Sequence, residues 1–284
     1  MDLKELLREQ RDEITAHVIY QNLAGSISDK KNAKVLERIS RDELRHYQLL
    51  QKRTGVEVKP DRFRIILFTL ISRLLGLTFG VKLLERDEEG AQKGYLLQSE
   101  QDKVFKKVLE DEERHENELI AMIDEERLRY MGSVVLGLND ALVELTGALA
   151  GYTFAFQNTR LIALTGLITG ISATLSMAAS EYLSTQQDEG EDAGKSALYT
   201  GIAYVFTVCA LVAPYFLLSN PFAALACTLL AALLIIFVFN FYISVAKGTE
   251  FKKRFFGMAA ISMGVAAISF GIGVLVKLVL GVDV

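Results

Sequence analysis

Cysteine and histidine are scarce and net positive charge is absent in this chain of 284 residues, which has two cysteines, three histidines and a formal net charge of −4. Cys209 and Cys227 fall in separate apolar stretches and read as small core residues. That excludes a disulfide framework or a cysteine metal centre. No basic field exists that would hold nucleic acid: acids slightly outnumber bases in each half. The opening MDLKELLREQRDE lacks the apolar core of a signal peptide, so the N-terminus is expected to stay on the side where it is made.

What is present divides sharply. Residues 1–130 hold 24 of the 31 Lys and Arg and 26 of the 35 Asp and Glu. Residues 131–284 are mostly apolar. Five spans are readable there, about 133–156, 161–183, 197–218, 222–246 and 256–280. Each is long enough to cross a bilayer core of about 30 Å. The expected fold is all-α: a soluble helical domain over 1–130, then a five-helix transmembrane domain over 131–284.

The first two spans carry acids, which cost several kcal/mol at that depth unless they face a partner, a cavity or an ion. Asp140, Glu144, Gly147 and Gly151 recur at helical intervals on the first, as Gly166, Gly170, Met177 and Glu181 do on the second. The glycines on these stripes predict that the two helices pack closely on each other. Glu181 then lies near one membrane edge, Met177 and Asp140 further in, and Glu144 near the middle. Carboxylates with one thioether suit a borderline divalent metal such as Fe²⁺. The plain alternative is acids paired with bases inside the bundle, and it has few candidates, since Lys277 is the only base deep in a span.

The stretches GLNDALVELTGALAG and GLITGISATLSMAASEYLS resemble the first two helices of the vacuolar iron transporter family. The resemblance covers roughly 131–284. It implies export of Fe²⁺ or Mn²⁺ from the cytosol by proton antiport, in homodimers with five membrane helices per chain. It places Asp140 and Met177 in the metal path with Glu181 close by, whereas the role of Glu144 rests on spacing alone.

In the soluble half, helices are expected over 2–25, over 28–54, in a third stretch ending near Gln98, and from a Ser99 cap to Tyr130. One motif occurs twice. Glu13-x-x-Ala16-x-x-x-Tyr20 precedes Glu43-x-x-His46, and Glu88-x-x-Ala91-x-x-x-Tyr95 precedes Glu112-x-x-His115. The midpoint of each Glu pair falls at a turn, so antiparallel hairpins bring each pair to one level. Two Glu-x-x-His steps and two further Glu make a di-iron carboxylate site in a four-helix bundle. The pattern resembles the ferritin-like superfamily, rubrerythrin in particular. That resemblance implies Glu13, Glu43, His46, Glu88, Glu112 and His115 as ligands and as the seat of any oxidation chemistry. Glu85, one turn before Glu88, is an alternative ligand, and His17 reads as a neighbour of the site or simply packed. The cysteine iron centre of rubrerythrins is absent.

Between the two repeats, the apolar run about 63–81 is nearly long enough to span, yet Arg73 sits at its centre. A span would put His46 and His115 on opposite sides of the membrane, so an interfacial helix is expected instead. With a cytosolic N-terminus, the inside loops of the membrane half carry Lys195, Lys247, Lys252, Lys253 and Arg254, and the outside loops only Arg160. The acidic loop 188–192 then faces the cytosol, and Pro214 is expected to kink the third span.

The fusion resembles the membrane-bound ferritins: a proton-coupled exporter of Fe²⁺ or Mn²⁺ in a prokaryotic plasma membrane, with a di-iron domain that captures, senses or oxidises iron. The alternative is a membrane-anchored di-iron oxidase or peroxidase whose membrane half is mainly an anchor.

Overall fold

The computed structural model describes residues 3–27, 29–84, 103–121, 130–187 and 192–280. Every regular element among them is an α-helix, and the chain divides into two compact units, Met1–Glu125 and Glu126–Val284.

The first unit is built on α1 (Leu3–Ala24) and α2 (Lys30–Thr54). Asp29 starts α2 by accepting hydrogen bonds from the amides of Lys31 and Asn32, and Gly55 ends it in the left-handed conformation (φ 69°) that a Cβ would strain. The two helices run antiparallel. Buried Gln10 near the start of α1 accepts a hydrogen bond from Thr54 Oγ1 (2.7 Å) and donates to the Val56 carbonyl (2.8 Å). Ala16, Ile19, Tyr20 and Leu23 recur at helical spacing and meet Leu36 and Ile39 of α2 in the core.

The apolar run near residue 70 differs from the single element expected. It forms α3 (Arg62–Leu75) and α4 (77–84), broken at Gly76 with φ 101°. The chain folds back there, and a Cβ on Gly80 would overlap Ser72. Both pieces contribute apolar side chains to the core, Phe68 from α3 and Val81 and Leu84 from α4, so the sequence reads as one unbroken run. At 14 residues, or about 21 Å, α3 is too short to cross a bilayer. The last described helix of this unit is α5 (Lys103–Ala121). The end of the expected third helix, the Ser99 cap, Glu85 and Glu88 lie outside the described residues.

The second unit holds α6 (Met131–Phe156), α7 (Thr159–Thr185), α8 (Ala193–Leu217), α9 (Pro221–Lys247) and α10 (Phe251–Leu280). All five are long and apolar enough to cross a membrane. Gln157 ends α6 at φ 49° and Asn158 caps α7 at once, which makes the tight turn between the first two spans. Helix α6 packs against all four others. Hydroxyls hold it: Thr153 pairs with Tyr215 of α8 (2.6 Å), Thr146 with Ser262 of α10 (3.0 Å) and Tyr152 with Thr169 of α7 (3.3 Å).

Two expectations are corrected here. The glycine stripes do not pack chiefly on each other. Gly147 and Gly151 face Val265, Ser269 and Gly273 of α10, and Gly170 faces Val208 of α8, although Gly166 does meet Leu149 of α6. A stripe of small residues encodes close approach without naming the partner. Cys209 and Cys227 are exposed instead of packed in the core, because the outer surface of a membrane bundle is itself apolar. Pro214 lies inside α8, which ends three residues later at Leu217.

Candidate metal centre and membrane acids

The Glu-x-x-His steps put a carboxylate and an imidazole on one face of α2 and again of α5. Side-chain oxygens of Glu13, Glu43 and Glu112 and a ring nitrogen of His46 lie within 4.8 Å of one another. His115 completes the group, its ring centroid 6.1 Å from that of His46. Both histidines are 2% exposed, deep enough that the charges around them are weakly screened.

The carboxylates are shared between the rings. Glu112 sets Oε1 3.2 Å from His46 Nδ1 and Oε2 3.9 Å from His115 Nδ1. Glu43 does the reverse, with Oε1 3.2 Å from His115 Nδ1 and Oε2 4.0 Å from His46 Nδ1. Glu13 stands on the His46 side alone, at 3.4 Å.

Behind each ring is a second acid that the spacing argument did not single out. His46 Nε2 lies 3.4 Å from Asp111 and His115 Nε2 lies 3.1 Å from Asp42, so each aspartate holds the histidine of the other repeat. Arg45 pairs with Asp42, and Arg114 reaches both Asp111 (2.6 Å) and Asp42 (2.9 Å). The signal was in the sequence: Asp-Glu-x-Arg-His occurs at 42–46 and again at 111–115. His17 stays apart from the cluster, its Nδ1 donating to the Ser40 carbonyl at 2.7 Å.

The electrostatics favour a bound cation. Two carboxylates about 4 Å apart repel by about 4 kcal/mol at the effective dielectric of such sites. Burial alone pushes the His46 imidazole down, but Glu13 and then Glu112 outweigh it and hold the group up to about 10. For His115 burial prevails and lowers the pKa, with His46 and Arg114 adding to it against Glu112. Burial, then Asp12 and Glu13, push Glu9 up to about 7 one turn away. The donor set fits a metal. Each Nδ1 is buried without a hydrogen bond of regular geometry and faces carboxylate oxygens, while each Nε2 is held by an aspartate. Metal-binding histidines are oriented in this way, and oxygen with imidazole suits Fe²⁺, Mn²⁺ or Zn²⁺. It is the one such cluster among the described residues.

In the membrane unit, Asp140 and Glu144 lie one turn apart at the middle of α6, exposed on the surface of the single chain. Tyr204 of α8 is fully buried and donates to Glu144 Oε2 at 2.6 Å. Sequence spacing gave no sign of Tyr204, because it comes from a helix 60 residues away. Met177 of α7 is half-buried against the apolar core, and Glu181 sits half-buried one turn beyond. The two acids of α6 thus gather with a tyrosine, while Met177 and Glu181 form a separate line on α7.

Residues 131–191 match the VIT family, over the two spans that carry Asp140, Glu144, Met177 and Glu181. A search of curated proteins finds no match to the chain. With its five helices long and apolar enough to cross a membrane, the second unit is a multi-pass membrane domain whose first two spans are similar to the VIT family.

Proposed function

We propose that the chain exports Fe²⁺ or Mn²⁺ from the cytosol in exchange for protons, and that its N-terminal unit is a ferritin-like four-helix bundle holding two irons. Transport rests on the family match over the helices that carry the membrane acids. The di-iron reading rests on one observation, that Glu43 and Glu112 each turn one oxygen towards each of two buried imidazoles. Two carboxylates shared in this way would hold a pair of metals between them. His46 and Glu13 would complete one metal, and His115 with Glu88, or Glu85 in its place, the other. The bound pair supplies two electrons at one place, one from each iron.

A homodimer follows from the same physics. Carboxylates at the middle of a membrane helix cannot face lipid without a cost of several kcal/mol. Asp140 and Glu144 are exposed on the single chain, so a second copy covers them and the metal path lies between the two. The excess of Lys and Arg on one side of the membrane half, Lys195, Lys247, Lys252, Lys253 and Arg254 against Arg160, supports a cytosolic position for that side and for the N-terminal unit. A prokaryotic plasma membrane is the proposed location.

Within the path, Tyr204 fixes the Glu144 carboxylate, and Glu144 carries the exchanged proton. Glu144→Gln is expected to leave metal flux that no longer responds to a pH gradient. Tyr204→Phe removes a hydrogen bond to a charged group, worth about 1.5–3 kcal/mol, and should lower flux by about tenfold. Flux at wild-type rate with unaltered pH response in both variants would remove the assignment. Asp42→Ala frees the His115 ring and should weaken metal binding about 10- to 100-fold. Titration of the detergent-purified chain with Fe²⁺ under argon reads this directly, and unchanged affinity would contradict it.

One observation favours a second reading, a membrane-anchored di-iron oxidase or peroxidase. The better-formed metal cluster among the described residues lies in the first unit. Metal flux into vesicles separates the two readings, since an anchor moves none.

A further inference from the structure

Helix α3 carries an apolar face that is exposed among the described residues of its unit. Eight large apolar side chains of the first unit are exposed among the described residues, and six of them lie on these 14 residues. Phe63 is 73% exposed, Ile66 67% and Leu70 52%, with Leu67 and Leu74 beside them. At about 100° per residue these five fall within an arc of about 100°. The opposite face, with Phe68 and Ser72, is buried. The helix is held firmly at its start, where Thr15 Oγ1 accepts from the Asp61 amide (2.9 Å) and Arg64 pairs with Asp12 (2.5 Å).

We propose that α3 lies in the surface of the lipid bilayer, with Phe63, Ile66, Leu67, Leu70 and Leu74 inserted among the acyl chains. The occupant follows from three features together. The same chain carries five membrane-crossing helices, so a bilayer is always within reach of its first unit. Exposed Arg62 and Arg73 lie along one margin of the apolar arc, where guanidinium groups meet lipid phosphates, while Arg64 on the other margin is held by Asp12. And α3 is too short to span, which leaves the interface as the one depth that buries its apolar face while keeping these charges in water. The break at Gly76 limits the inserted element to α3: Phe79, Val81 and Leu84 of the helix that follows are buried in the protein.

Through Asp12, next in sequence to Glu13, the docked helix would fix the orientation of the metal cluster to the membrane surface. The docking itself does not depend on whether the cluster binds iron or the second unit moves it.

The chain contains no tryptophan, so a single introduced one reports its own surroundings. Leu70→Trp in the full chain, reconstituted in nanodiscs, is to be compared with Lys34→Trp on the exposed side of α2. Lipids brominated near the headgroup end of the acyl chains should lower the Leu70→Trp emission about twofold and leave Lys34→Trp unchanged, with Leu70→Trp emitting to the blue. Ile66→Trp guards against a local folding defect and should behave as Leu70→Trp does. Water-like, unquenched emission from both would overturn the proposal. Blue emission that bromolipid does not quench would also overturn it, because a second copy or another protein would then cover the face.

Discussion

Replacing His46 or His115 by Ala is expected to take the chain from about two bound irons to one or none, and to slow Fe²⁺ oxidation by at least about 100-fold. Each ring faces its own side of the shared carboxylates, so losing either one empties a different half of the site. Oxidation is a joint act. A pair of irons held by Glu13, Glu43, His46, Glu112 and His115 would supply two electrons at one place, the number needed, with two protons, to reduce hydrogen peroxide to two water molecules. A single iron cannot supply both electrons, which is why either variant should lose nearly all activity. His17→Ala should change neither quantity, because His17 is tied to Ser40 and not to the cluster. The check is iron content together with the optical change when O₂ or peroxide meets the Fe²⁺-loaded protein. Two irons without oxidation would leave a capture or sensing domain. Wild-type iron content in both variants would remove the ligand assignment.

The second large effect lies in the membrane. Asp140→Asn or Met177→Ala should abolish metal flux, a loss of at least about 100-fold, while the chain keeps its iron content in the first unit. Asn is nearly isosteric with Asp and differs chiefly in charge, so a loss there tests the need for an anionic oxygen ligand. Ala removes the soft sulfur of Met177 from the half-buried line on α7. Flux unchanged in both would show that the path runs elsewhere.

How far the sequence was legible depended on whether one helix held the whole signal. The grouping of Glu13, Glu43, His46, Glu112 and His115 could be read because an i, i+3 step fixes a face and a hairpin fixes a level. The five spans were legible from length and apolarity alone, within a few residues at each end. What stayed hidden needed a partner from another element. Tyr204 reaches Glu144 from α8, and Asp42 and Asp111 cross between repeats to hold the opposite histidine. The glycine stripes of α6 and α7 marked close approach correctly, yet their main neighbours are α10 and α8. Gly76 breaks a run that is apolar on both of its sides, so no change in composition marks the turn.

In the proposed function the membrane unit moves a divalent metal while the first unit holds iron. Proteoliposomes containing the full chain, loaded with a metal-sensitive dye and exposed to Fe²⁺ under argon or to Mn²⁺, test it most directly. The expected result is metal entry that saturates with concentration, responds to a pH gradient and vanishes in Asp140→Asn. Iron-loaded protein in sealed vesicles with no metal entry above protein-free liposomes would contradict it, and would leave the membrane half an anchor.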